Sequence, residues 1–139
     1  MTWIQSGDVE PILVLALDEL REPVVGKTDV KLRIYRKHDD WFLDWSDNQF
    51  KPAASVTIIE IQMEEVNGVY NPGEYRLNYG AHIKGFNPAS ISNAENEDIY
   101  FFVADQSSGV DISNMPQIGQ IRVGGVIDSV SIEKTPYTL

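Results

Sequence analysis

The stretch from Asp29 to Phe50 constrains the fold of this chain more than any other. Val30, Leu32 and Ile34 alternate with Lys31, Arg33 and Tyr35. Polar residues follow at His38, Asp39 and Asp40, and Trp41, Leu43 and Trp45 resume the alternation. A period of two places every second side chain on one face of an extended strand, so the segment predicts a β-hairpin with one buried face. Two tryptophans on that face would bury roughly 150–250 Å² each, which makes this hairpin the expected centre of a small all-β core.

The rest of the chain reads as strands around that hairpin. Glu10 to Leu17 is a continuous apolar run; it reads as a strand covered on both faces, with a helix starting at Asp8 as the alternative. Asp18 to Asp29 holds Pro23 and Gly26 and reads as an irregular crossing. In Ser55 to Val66, Ile59, Ile61 and Met63 alternate with acidic or polar residues, and the adjacent Ile58 and Ile59 suggest a bulge or a change of sheet. A turn-rich link from Asn67 leads to the alternating Tyr75, Leu77 and Tyr79. Ala81 to Asp98 is the longest expected loop, unless a short helix forms near Ala89 to Ala94. Ile99 to Asp105 is apolar on both faces, as in a central sandwich strand, and Ile121, Val123, Val126, Val130 and Ile132 mark further strand residues near the end. About eight short strands separated by turns predict an antiparallel β-sandwich.

A chain of 139 residues suits one domain that folds without staples. The absence of cysteine excludes disulfides, thiolate metal sites and a cysteine nucleophile. With 21 acidic against 11 basic residues and a net charge of −10, the chain is poorly suited to nucleic acid, because phosphate binding draws on clustered Lys and Arg. The only basic cluster, Arg33 to Lys37, reads as a solvated strand end. No apolar run approaches the ~20 residues of a membrane span, and the N-terminus lacks a signal-peptide pattern, so a soluble protein without a membrane partner is expected.

The residues capable of chemistry fall into no catalytic pattern. His38 and His82 have no metal-ligand spacing and read as surface loop residues. Asp39, Asp40, Asp44 and Asp47 lack the spacing of a calcium loop and read as solvated turn residues. Trp41, Trp45, Tyr75 and Tyr79 could stack on sugar rings, but their period-two placement beside Leu43 and Leu77 assigns most of them to the core. The expected core is Trp41, Leu43, Trp45, Ile59, Ile61, Tyr75, Leu77, Phe102 and Val103. No catalytic residue, metal or cofactor is expected.

Five short blocks carry a family resemblance. Gly26 leads Val30-Lys31-Leu32-Arg33-Ile34-Tyr35-Arg36; Leu43-Asp44-Trp45-Ser46-Asp47 follows with Phe50; then come Met63-Glu64-Glu65-Val66 and Pro72-Gly73-Glu74-Tyr75. In order and spacing these resemble immunoglobulin-like β-sandwich modules of tailed-bacteriophage virion proteins, over roughly the middle half of the chain. The resemblance implies a single immunoglobulin-like antiparallel sandwich of about seven or eight strands; the flanks, Met1 to Glu10 and Asp111 to Leu139, lie outside it and read as extended N- and C-terminal segments. An N-terminal arm would occupy residues 1–9, the sandwich 10–110, and a C-terminal extension with one or two added strands 111–139. It also implies a structural, non-enzymatic role in a neck, collar, head-decoration or tail assembly. The protein would be made in the host cytoplasm and bind portal, connector, capsid or tail subunits and copies of itself. The expected assembly contacts are Trp3, Ile4, Met115, Ile118 and Ile121, apolar residues in or beside irregular stretches. A carbohydrate-binding module of a receptor-binding or adhesion protein is the alternative, favoured if Trp41 or Trp45 lines an open groove; a small hydrolase stands behind it.

Overall fold

The structure is a computed structural model that describes residues 2–5, 8–91 and 98–124, with backbone only for 2–5 and Asp98. The chain is an all-β sandwich. Its larger sheet contains β1 (Thr2–Gln5), β10 (Gln117–Gly124), β9 (Asp98–Gln106), β3 (Val30–Arg36), β4 (Phe42–Asp44) and β5 (Gln49–Lys51), in that order, with β6 (Ile61–Gln62) also on β3. The smaller sheet has the order β2 (Leu13–Leu15), β8 (Asn71–Arg76) and β7 (Glu64–Asn67). Neighbouring strands are antiparallel except β1, which runs parallel to β10.

The alternation predicted for the central hairpin is present in its first strand, β3, but not in its second limb, where Leu43, Asp44 and Trp45 are buried in succession and Trp41 only half-buried. Val30, Leu32 and Ile34 are fully buried, with Arg36 at the end of the same face, while Lys31, Arg33 and Tyr35 are half-buried on the other. Each apolar residue sent inward contributes about 1.5–3 kcal/mol relative to exposure. The turn is set by polar bonds: Asp39 Oδ1 accepts from Trp41 N at 3.1 Å, and Asp40 takes a left-handed φ of 56°. The Arg36 guanidinium forks onto Asp39 and lies 5.0 Å from the Trp41 ring and 5.1 Å from that of Phe50. Arg36 therefore departs from the solvated strand end read for the basic cluster: its stem packs inward while its head is neutralised in place.

Leu43, Trp45, Ile61, Tyr75 and Leu77 are buried as expected, joined by Phe50, Met63, Phe86 and Tyr100. Trp41, Ile59, Phe102 and Val103 are only half-buried. Val103 lies on the outer face of β9, opposite Arg33. Phe102 lies on the inner face across Gly119, where a Cβ would meet its ring at 2.0 Å.

Glu10 to Leu17 contributes a strand, but not one covered on both faces: Ile12, Val14 and Ala16 are buried, whereas Leu13 and Leu15 are 53% and 43% exposed. β2 edges a three-stranded sheet that packs on one face, so alternate leucines face outward. The change of sheet falls at Met63 rather than at Ile58 and Ile59, since Ile61–Gln62 pairs with β3 while Glu64 onward joins the smaller sheet. Residues 92–97, in the expected long loop, and 125–139, with the last expected strand residues, lie outside the described residues; a 3-10 turn spans Pro88–Ser90.

Candidate contact site at the loop end

Of the polar residues singled out from sequence, His38, Asp40 and Asp47 are exposed turn residues as read, whereas Asp44 and His82 are engaged within the fold. Asp44, read as a solvated turn residue, has a fully buried side chain. Its carboxylate accepts bonds from Ser46 N, Ser46 Oγ, Lys51 Nζ, Thr57 N and Ile58 N at 2.6–3.1 Å. Burial pushes its pKa up, but the bonds from Lys51, Ser46 and Thr57 outweigh burial and hold it well below the usual carboxylate range. The tight turn after β4 folds the Asp44 side chain under the 56–58 segment, which pattern reading does not reveal. His82, read as a surface residue, is also fully buried. Its Nδ1 accepts from Asn87 N at 3.1 Å, which leaves Nε2–H to donate to Asn48 Oδ1 at 3.0 Å. The ring stacks on Phe86 and meets Trp45 edge-on at 5.2 Å, and burial pushes its pKa down to about 4. Among the described residues no group of acidic or histidine side chains is arranged to hold a metal ion.

Part of what the fold leaves outward gathers at one end. β2 runs antiparallel to β8, Ala16 N donates to Gly73 O, Val30 pairs with Gln106, and Ser113 N donates to Leu17 O. These links gather the 17–29, 67–71 and 107–116 loops at the same end of the sandwich. Among the described residues, the four most exposed large apolar side chains sit there: Val110 at 95%, Tyr70 at 83%, Val69 at 79% and Leu20 at 77%.

Each tip is held out by local bonding. Asp18 Oδ1 accepts from Leu20 N and Glu22 N at 2.8 and 2.9 Å, a tight turn with Leu20 at its apex. Asn67 Oδ1 accepts from Val69 N and Tyr70 N at 2.9 and 3.0 Å, an Asx turn that presents both side chains. The third loop is anchored by buried Ile112, by Ile112 N donating to Gln106 Oε1, by Gln106 and Ser108 donating to Asp29, and by the Lys27–Asp111 ion pair, with Val110 at the apex. An open dent of ≈ 340 Å³ lies between two of the loops, lined by Asp18, Glu19, Leu20, Val110, Asp111 and Ser113. The three loops carry Asp18, Glu19, Glu22, Asp29 and Asp111 against Arg21 and Lys27, so the end is acidic as well as apolar. Preorganised apolar tips lose little conformational freedom on contact with another surface, which favours binding.

A second outward apolar feature is the solvent face of the larger sheet. Phe42, Tyr35 and Phe101 lie side by side on β4, β3 and β9, with ring centroids 5.3 and 5.2 Å apart, and Ile118, 64% exposed, sits opposite Val103. Of the expected contact residues, Ile118 is thus outward. Met115 is half-buried against the core, and Ile121 is 2% exposed, because the alternation of β10 turns it inward and leaves it no surface for a partner. Trp3 and Ile4 lie on β1, opposite Arg122 and Val123; their side chains are outside the description. Sequence reading missed Leu20, Val69, Tyr70 and Val110. The available signal was an apolar residue inside each of three turn-rich segments. Set against known proteins, the chain matches no family model, no curated protein and no solved structure.

Proposed function

We propose that this protein is a structural component of a tailed-bacteriophage virion, a neck, collar or head-decoration subunit that acts by binding other virion proteins. The observation that carries the assembly part of this reading is the set of exposed apolar tips on turn-bonded loops, Leu20, Val69, Tyr70 and Val110, at one end of the sandwich. Exposed apolar side chains grouped on one surface mark a contact site, and here turn bonding fixes the backbone that carries them. The virion part rests on the resemblance of the central blocks to phage modules. The sugar-binding alternative is weakened because Trp45 is 3% exposed and Trp41 lies beneath Arg36, so neither ring forms an open platform.

The test is mass spectrometry of density-purified virions from the phage that encodes the chain. The protein is expected at a stoichiometric copy number, and the doubly substituted Leu20→Ser, Tyr70→Ser protein, with its thermal midpoint unchanged, is expected to be excluded. Virions that lack the wild-type protein would overturn the reading.

A further inference from the structure

Two outward surfaces of the sandwich differ in charge. The loop end carries five acidic and two basic side chains, a net of −3. The solvent face of the larger sheet departs from the chain's overall acidity. There Lys31, Arg33, Lys37 and Arg122 outnumber Glu60 and Asp105 among the described residues, a net of +2. Arg33 is tied to Glu60 at 2.8 Å, while Lys31 and Lys37 form no salt bridge among the described residues. Both surfaces have apolar centres: Leu20, Val69, Tyr70 and Val110 on one, and the Phe42–Tyr35–Phe101 row with Ile118 on the other.

We infer that the acidic loop end of one copy docks on the basic, aromatic face of the larger sheet of a second copy. The inference rests on the assembly reading above and specifies one of its partners. Charge selects this pairing over the symmetric ones: end against end sets acid on acid, and face against face sets cation on cation, whereas end against face pairs opposite signs around an apolar centre. The contact is heterologous, since the two patches lie on different parts of the molecule. Each bound copy therefore offers a fresh patch, and repetition yields a closed ring or an open helix according to the rotation between copies.

Sedimentation velocity at low salt over a concentration series tests this contact. Wild-type protein is expected to associate progressively with concentration and to dissociate as salt screens the charges. Tyr70→Ser with Val110→Ser disables the end, and Lys31→Gln with Ile118→Ser disables the face; all four are outward positions and Gln sets no like charge opposite Asp105, so thermal midpoints stay near wild type. Each double variant alone is expected to associate at least ~10-fold more weakly. Mixed in equal amounts, they retain one intact end and one intact face between them and are expected to form a 1:1 dimer that grows no further. A wild-type protein that stays monomeric up to about 1 mM, association undiminished in either variant, or a mixture that forms no dimer would each overturn the inference. Failure here with normal incorporation into virions sinks only the copy-to-copy contact; absence from virions sinks the reading beneath it.

Discussion

Trp45 sits where two buried polar groups meet the apolar core: Asp44 precedes it in the chain, and the His82 ring abuts its edge. Truncating it to Ala is expected to cost about 3–5 kcal/mol in a urea titration; a midpoint left nearly unmoved would remove the central hairpin from its role in stability. The two polar neighbours act in successive pH windows. His82 is held neutral, with its pKa pushed down to about 4 by burial, so as pH falls below the ordinary histidine value of ~6.5 the unfolded chain takes up the proton first. Its contribution to stability is complete above that value and is lost as pH falls towards 4. Asp44, held well below the usual carboxylate range, adds its own loss only below about pH 4, where an unfolded aspartate protonates. Unfolding free energies measured in half-unit pH steps should show both declines, and His82→Gln should flatten the upper one alone. Chelation offers a separate check. Lys51 Nζ already bonds Asp44 Oδ2 at 2.8 Å and Asp47 Oδ2 at 2.7 Å, so EDTA should leave the thermal midpoint in place. A drop restored by Ca²⁺ would show a metal site in the turn.

At the level of elements, the sheet edges are treated differently. The outer edge of β2 is capped: Leu15 O accepts from Asn114 Nδ2 and Gln117 Nε2 at 2.7 and 2.9 Å, and Leu17 bonds Ser113 and Asn114. The edge of β10 is covered instead by the four-residue β1. Deleting residues 1–7 should therefore leave a folded protein, by circular dichroism, that aggregates faster on storage because the β10 edge is uncovered. A deletion variant no more prone to aggregation would show that β1 does not guard that edge. These elements also show what the sequence could and could not reveal. The β3 alternation and the burial of Leu43, Trp45, Tyr75 and Leu77 were legible because a period of two survives in any strand with one packed face. The outward leucines of β2 were not, since an all-apolar run looks the same whether one face or two are covered. His82 and Asp44 were misread for a related reason: their partners Asn48, Asn87, Thr57 and Ile58 come from loops whose approach is a property of the whole topology. The loop-end site was half legible. Each apolar tip stands out inside its own turn, but only strand order brings the three turns to one end.

For the whole molecule, the separation of an acidic end from a basic sheet face matters more than the net charge of −10, because a neighbour meets the local field and not the total. The link between β1 and β10 has a further, mechanical consequence. The two strands run parallel, Thr2 opposite Ile121 and Gln5 opposite Gly124. A load applied between the front of β1 and the far end of β10 pulls them along their common axis in opposite senses, so every rung of the ladder is strained together. An antiparallel pair loaded from one end would yield rung by rung. Single-molecule stretching through these two points should give a rupture force well above that from pulling across the β3–β4 turn, where bonds open one at a time; equal forces would show that the terminal strands do not clamp the fold. The four-rung pairing of β1 with β10 at the sheet's margin would then set how much tension the protein bears before it opens.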